Sequence, residues 1–375
     1  MFSREQIGWI ISDIFRTELV KQRQDTFAFF DAPQALSLVE IPPTVQAAAI
    51  RQVGLFFGVE PEEGGSLEDL TGQAYRAYQR NKFVQLATSG STGVPKQCLH
   101  TEEMMAIEGQ SVGNHFRHAK RFITLTPRQH LYGLSFAVFF SSLFKIPCQP
   151  LAPIPLQPWA SLLHADDVVA GFPLFWEYFL KAGNTFPQGV TAVTSTGPCP
   201  KGLFRRLKQA GAAQVVELYG ASETGGIGVR YREEEPFQIN DFWEISADNR
   251  KIHRKGIEGW LPFPDEVQFV PPRGIFPLKR PDRVAQVAGV NVSLKHVENI
   301  LQQHPAVKAC RVRLMRPDEG KRLKAFIVFN EGYGEQSLPD IRAGLSKLLS
   351  SHELPRSFTF GKSLPVNEMG KDSDW

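Results

Sequence analysis

Ile7, Ile10, Ile11, Ile14 and Phe15 recur at the spacing of one helix face, and roughly the first eighty residues read as helices joined by loops. A short apolar run from Phe83 to Ala87 predicts a strand, and Gln97 to His100 predicts another. A helix is expected to begin near Thr101, because Glu102 and Glu103 then fall in its first turn, where negative charge is favoured. Between the two strands lies Thr88-Ser89-Gly90-Ser91-Thr92-Gly93-Val94-Pro95-Lys96, too small and polar to be a packing element, so it is a loop.

The middle of the chain alternates strand and helix signals. One helix is delimited by Pro200 near its start, Leu203 and Leu207 on one face and Gly211 just past its end. The strand Val215 to Tyr219 follows, and then the turn Gly220-Ala221-Ser222-Glu223-Thr224-Gly225-Gly226. This alternation argues for an α/β core. Pro and Gly punctuate residues 259 to 274, and the charged run Lys279-Arg280-Pro281-Asp282-Arg283 comes next, which places a domain boundary there. The expectation is a large α/β domain over residues 1–281 and a small α/β domain over 282–375. In the latter, Ser293 can cap a helix carrying Leu294, Val297, Ile300 and Leu301. A hairpin should turn at Pro317 to Gly320, and a helix carrying Ile341, Leu345, Leu348 and Leu349 follows.

Composition narrows the class. With 42% hydrophobic and 22% charged residues the chain has apolar content for a real core. A net charge of +3, with lysines and arginines scattered, gives no reason to expect nucleic acid. Cys98, Cys148, Cys199 and Cys310 show no CxxC pairing or metal-ligand spacing and predict reduced thiols in a cytoplasmic protein. The first residues meet polar and acidic side chains before any long apolar run, which predicts no signal peptide. The most apolar stretch, Leu131 to Leu143, is too short to span a bilayer.

The Ser/Thr/Gly loop carries the chemistry. Its backbone N–H groups and hydroxyls can turn inward around a polyanion, glycine allows close approach, and Lys96 adds charge at the end. The pattern GxxxxGK[ST] does not fit, since five residues after Gly90 comes Pro95, and Gly361-Lys362-Ser363 has Arg356 where the upstream glycine should be.

Residues 88–96 resemble the signature phosphate loop of the adenylate-forming superfamily, which comprises acyl- and aryl-CoA ligases, peptide-synthetase adenylation domains and luciferases. Further segments follow in that family's order. Tyr219-Gly220-Ala221-Ser222-Glu223 resembles its Tyr-Gly-x-Thr-Glu motif, which implies that Tyr219 stacks on adenine, Ser222 reaches phosphate and Glu223 binds Mg²⁺. Ser195 to Pro200, with Gly197, is similar to the small-residue turn along adenine, and an ordinary strand-to-helix turn explains it nearly as well. Asp265 aligns with the aspartate that accepts the ribose hydroxyls, Arg280 with a ribose or phosphate contact, and Asp282 with the hinge of a mobile C-terminal lid. Gly289 fits the loop lining the pantetheine tunnel, although Gln286 and Ala288 depart from the pattern there. Gly370-Lys371 resembles the end of the Pro-x(4)-Gly-Lys motif, so Lys371 would bridge carboxylate and α-phosphate. His130 and Tyr132 resemble a His-x-Tyr segment beside the acid, with His130 near the carboxylate; Phe136, Phe139 and Phe140 could line an acyl pocket or be plain core.

The resemblance covers roughly residues 83 to 375 and is nearest to aryl-acid or 4-coumarate-type ligases. It implies an α/β enzyme that uses ATP and Mg²⁺ to convert a small carboxylic acid to its acyl-AMP. The acyl group then passes to a thiol, of coenzyme A or of the phosphopantetheine on an acyl carrier protein. Family members carry a longer region before the phosphate loop and a Gly-Glu-Leu stretch missing between Glu223 and Asp265 here. Those contractions keep open a non-catalytic nucleotide-binding module, and Gln286 and Ala288 keep open adenylation with a non-thiol acceptor.

Overall fold

The computed structural model describes residues 2–23, 41–62, 65–88, 96–151, 158–279, 284–287, 290–316, 319–320, 322–365 and 375. They form two compact units, the larger ending at Lys279. No helix among the described residues is long and apolar enough to cross a membrane.

Among the described residues the larger unit opens with the helices α1 (Arg4–Arg23), α2 (Pro43–Phe57) and α3 (Leu67–Asn81). The apolar stripe of α1 is buried in one core with Val45, Val53 and Phe57 of α2 and Leu70 and Tyr78 of α3. Ser66 and Asp69 cap α3 reciprocally, each side chain accepting from the other's backbone N–H. Then come β1 (Phe83–Thr88), β2 (Lys96–Thr101) and α4 (Glu102–Ser111), with Thr101 as the N-cap accepting from Met104 N. After β3 (Arg121–Thr124), two single-turn helices, α5 (Leu131–Leu134) and α6 (Ser141–Phe144), flank a π-helical stretch over Ser135–Phe140. Phe136, Phe139 and Phe140 on that stretch are fully buried in this core, with Phe136 against Phe116 and Phe122, which makes them core residues.

Helix α1 also fixes the segment before α5. Asp13 accepts from Arg128 N at 2.8 Å, Arg128 Nε at 2.7 Å and Arg128 Nη2 at 2.7 Å, while the guanidinium lies over Trp9. Both partners are buried, so removing one strands a charge. Asp13→Ala is expected to lose roughly 3–5 kcal/mol, read as a lower urea midpoint at unchanged slope. A midpoint that stays in place would show that solvent reaches Arg128.

The chain continues through β4 (Cys148–Pro150), α7 (Trp159–Leu162), β5 (Asp167–Gly171), α8 (Pro173–Lys181), β6 (Thr191–Thr194), α9 (Leu203–Gln209) and β7 (Gln214–Ala221). Instead of entering a helix after the Gly220–Gly226 turn, it doubles back as β8 (Gly225–Arg230), antiparallel to β7. There follow β9 (Phe237–Ile239), β10 (Glu244–Ile245), β11 (Lys251–His253), β12 (Leu261–Pro262), β13 (Glu266–Val270) and β14 (Gly274–Lys279). Among the described residues, nine strands make one mixed sheet in the order β13-β14-β9-β8-β7-β6-β5-β3-β4. The β4-β3-β5-β6-β7 part is parallel and the rest antiparallel. Strands β5 and β6 are buried along their whole length, as expected of a parallel sheet covered on both faces.

The smaller unit holds β15 (Val284–Val287), β16 (Val290–Ser293), α10 (Leu294–Gln302), β17 (Val307–Leu314), β18 (Leu323–Phe329), α11 (Leu338–Leu348) and β19 (Pro355–Phe360). Ser293 caps α10 by accepting from His296 N. Strands β17 and β18 form the expected hairpin, β19 adds in parallel to β18, and α10 and α11 bury Val297, Leu301, Ile341 and Leu345 on this sheet.

Candidate active site

In an open parallel sheet, loops at the carboxyl ends of the strands form the ligand-binding edge. Pairing of Thr124 with Ala170, of Gly171 with Thr194 and of Thr194 with Glu217 puts the ends of β3, β5 and β6 level with one another. Three predicted segments therefore leave from one edge: the stretch carrying His130 and Tyr132 after β3, Ser195–Gly197 after β6 and Tyr219–Glu223 at the end of β7. Ser195 ties two of them together by donating from Oγ to Leu218 O at 2.9 Å. Thr196 has φ +70°, the left-handed region that a β-branched residue seldom adopts. Its hydroxyl and that of Thr194 are buried with no partner among the described residues. Unpaired buried hydroxyls at a ligand-binding edge fit a polar ligand that completes them.

Two predicted nucleotide contacts, 46 residues apart in sequence, meet directly. Tyr219 Oη donates to Asp265 Oδ2 at 2.7 Å, and its ring packs on Phe237 with centroids 5.4 Å apart. A half-buried aromatic face beside a carboxylate matches what an adenosine needs, a stacking surface and an acceptor for ribose hydroxyls.

Glu223 is exposed at the tip of the β7–β8 hairpin, with Ser222 half-buried beside it. At Gly220 a Cβ would lie 2.2 Å from Gly225 O, so only glycine allows the hairpin to close there. Among the described residues no group of three or more His, Cys, Asp or Glu comes together around Glu223. A lone carboxylate suits Mg²⁺, which keeps water and takes its other ligands from substrate phosphates.

The turn rests on side chains that the sequence reading did not single out. His100, on β2, lies 2.7 Å through Nε2 from Ser222 O. Burial pushes its imidazole down to about 4, against the opposing pull of that bond and with help from the nearby Arg254. The ring is thus neutral at pH 7 and donates Nε2–H to the carbonyl. Glu108, on α4, accepts from Gly226 N at 3.2 Å, and Arg254 donates to Met104 O at 2.7 Å with Nη1 3.5 Å from Glu108 Oε2. Burial pushes the Glu108 carboxyl up, while Arg254 and the Gly226 amide pull it back.

His130 is exposed immediately before α5, and Tyr132 lies on α5. The Tyr132 hydroxyl is buried without a partner among the described residues, and burial raises it well above the usual phenol range. Gly197 is half-buried in the turn after β6, Thr88 ends β1 and Lys96 begins β2. Ser89, Gly90, Ser91, Thr92 and Gly93 of the phosphate loop lie outside the described residues, as do Arg280, Asp282, Gly289 and Lys371.

Residues 77–245 match the family model described as AMP-binding enzyme, and residues 296–371 match that of the AMP-binding enzyme C-terminal domain. A 4-coumarate–CoA ligase of Cereibacter sphaeroides is 32% identical over 294 residues, covering 77% of this chain and 70% of that protein. One from Halorhodospira halophila is 31% identical over 310 residues, covering 79% and 76%. Among solved structures, the o-succinylbenzoate CoA synthetase of Bacillus subtilis superposes with a TM-score of 0.64 at 20% identity, covering 77% of this chain and 67% of that one, a likeness of fold.

Proposed function

The chain belongs to the AMP-binding enzyme family, and from that premise we propose that it activates an aryl or cinnamyl acid with ATP as the acyl-AMP and passes the acyl group to the thiol of coenzyme A. The observation that carries this reading is the Tyr219–Asp265 bond at the carboxyl edge of the sheet, next to the exposed Glu223. Tyr219 and Asp265 hold adenosine, and Ser222, with the loop from Thr88 to Lys96, receives the phosphates. Glu223 holds Mg²⁺, which when bound stabilises the charge that builds on the departing pyrophosphate. Lys371, as a compact amine, reaches the carboxylate and the α-phosphate together as charge moves between them. The small domain from Asp282 onward then turns about that residue, taking Lys371 away and bringing the Gly289 loop to the thioester-forming position.

An aryl acid is favoured because the curated relatives are named for 4-coumarate and because Tyr132 offers a buried hydroxyl to a polar ring substituent. The test is acid-dependent release of pyrophosphate from ATP and Mg²⁺ across benzoic, cinnamic and fatty acids, followed by addition of coenzyme A or a phosphopantetheinylated carrier protein. Release with hydroxycinnamic acids and a thioester with coenzyme A are expected. ATP binding without release for any acid would overturn the ligase reading in favour of a non-catalytic module. A thioester formed only with the carrier protein would correct the acceptor.

A further inference from the structure

Beneath the hairpin tip lies a buried cluster that the adenylation chemistry above does not use. His100, Glu108 and Arg254 are 2%, 5% and 1% exposed, and they come from β2, from α4 and from just past β11. Each secures the turn or secures a residue that does. His100 holds Ser222 O at 2.7 Å, and Glu108 Oε1 takes the Gly226 amide at 3.2 Å. At Gly225, which has φ +82°, a Cβ would lie 2.3 Å from Glu108 Oε2 and 3.4 Å from Arg254 Nη1, so the turn sits directly on the pair. From the other side, Gly226 O accepts from Asn240 Nδ2 at 3.1 Å and Trp243 Nε1 at 2.9 Å. Arg254 is itself held over the rings of Phe242 and Trp243, 4.4 and 5.4 Å from their centroids, and Nε has no partner among the described residues.

Burying such a pair is a poor route to stability, because desolvation of both ions offsets their attraction, most of all at 3.5 Å. An apolar pair of similar volume would fill the space without that desolvation. What an apolar pair cannot supply is an acceptor for the Gly226 amide at the root of an exposed carboxylate.

We infer that Glu108, Arg254 and His100 are positioning residues that clamp the Ser222–Gly226 turn, so that Glu223 meets the Mg²⁺ of a bound nucleotide at one fixed place. The inference rests on the nucleotide-binding reading given above and goes beyond it by assigning the support of the metal-binding carboxylate to side chains outside the motif. Glu108 does so by accepting from the turn, Arg254 by fixing Glu108, and His100 by donating to the turn's carbonyl.

Two charge-neutral double variants separate positioning from packing. Glu108→Met with Arg254→Met removes the acceptor, and Glu108→Gln with Arg254→Met keeps an amide oxygen for Gly226 N. ATP affinity is measured by calorimetry with Mg²⁺ and with EDTA, beside thermal unfolding and pyrophosphate release. The Met/Met variant is expected to unfold near the wild-type temperature, to keep its affinity for metal-free ATP, and to lose the gain that Mg²⁺ gives, as Glu223→Ala does. Its adenylation turnover should fall on the order of 10–100-fold, the scale of a small misplacement of a catalytic group. The Gln/Met variant should recover most of both. Retention of the Mg²⁺ gain by Met/Met, or an equal loss of affinity with and without Mg²⁺, would overturn the inference. Should Met/Met fail to fold, His100→Leu against His100→Gln asks the same question at Ser222 O, with the same two readings. A wild-type chain that shows the Mg²⁺ gain but releases no pyrophosphate with any acid would sink the ligase reading and leave the clamp standing. A wild-type chain without the gain would sink the clamp.

Discussion

Lys371→Ala should lower acid-dependent pyrophosphate release on the order of 10²–10³-fold, the usual cost of removing one well-placed charge stabiliser, while thiolysis of preformed acyl-AMP continues at the wild-type rate. The asymmetry follows from the chemistry of the two half-reactions. Adenylation joins two anions, the carboxylate and the α-phosphate, and an ammonium between them offsets the repulsion as the bond forms. Thiolysis starts from a mixed anhydride that has already lost pyrophosphate, so it has no such repulsion to overcome. Lys371→Arg should recover little, since a planar guanidinium does not replace a compact point charge that contacts both anions at once. Stopped-flow release of pyrophosphate, set beside thioester formation from synthetic acyl-AMP, reads both halves. Equal loss in the two would show that Lys371 supports the fold or a step common to both.

Glu223→Ala carries the second large effect, with turnover down by a similar order, about 10²–10³, and a steeper requirement for Mg²⁺. The side chain is exposed at the hairpin tip, and the turn is closed by Thr224, whose Oγ1 accepts from Ala221 N at 3.1 Å, so truncation should leave the fold intact. An unchanged unfolding temperature with lost activity is the expected pair of results. Full activity at low Mg²⁺ would place the metal elsewhere.

The elements nearest the chemistry were legible because each rests on local physics. Glu102 and Glu103 announce one helix start by their charge and Ser293 another by its hydroxyl, and Thr101 and Ser293 cap those helices. The stripe Ile7-Ile10-Ile11-Ile14 needs nothing beyond the period of a helix. Strand β8 was hidden: Gly225-Gly226-Ile227-Gly228 has three glycines in four positions, and glycine argues against a strand. The hairpin forms because Gly226 and Gly228 sit where Cβ atoms would crowd Glu108 Oε1 at 3.3 Å and Gln238 O at 2.9 Å. In the site, the residues of the ordered motifs could be read by resemblance, since their spacing is local. Glu108 and Arg254 could not. They lie 146 residues apart, each looks like a surface charge in its own segment, and their meaning comes only from tertiary contact. A faint signal did exist at Glu108, an acidic residue among the buried positions Met104, Met105 and Gly109 of α4.

The tie between Asp13 and Arg128 also governs when the molecule can form. The partners are 115 residues apart, and Gln6 bonds to Ser142 across 136. Phe2 packs edge-on to Phe139 with centroids 6.0 Å apart. As the chain leaves the ribosome, α1 therefore emerges long before these distant partners. Helices α2 and α3 can cover part of its apolar stripe early, but the side that meets the π-helical stretch stays open until that stretch has been synthesised, and closing so long a loop delays docking further. Helix α1 is thus made well before it is fully sealed, and the nascent chain depends on shielding of that open side over the interval.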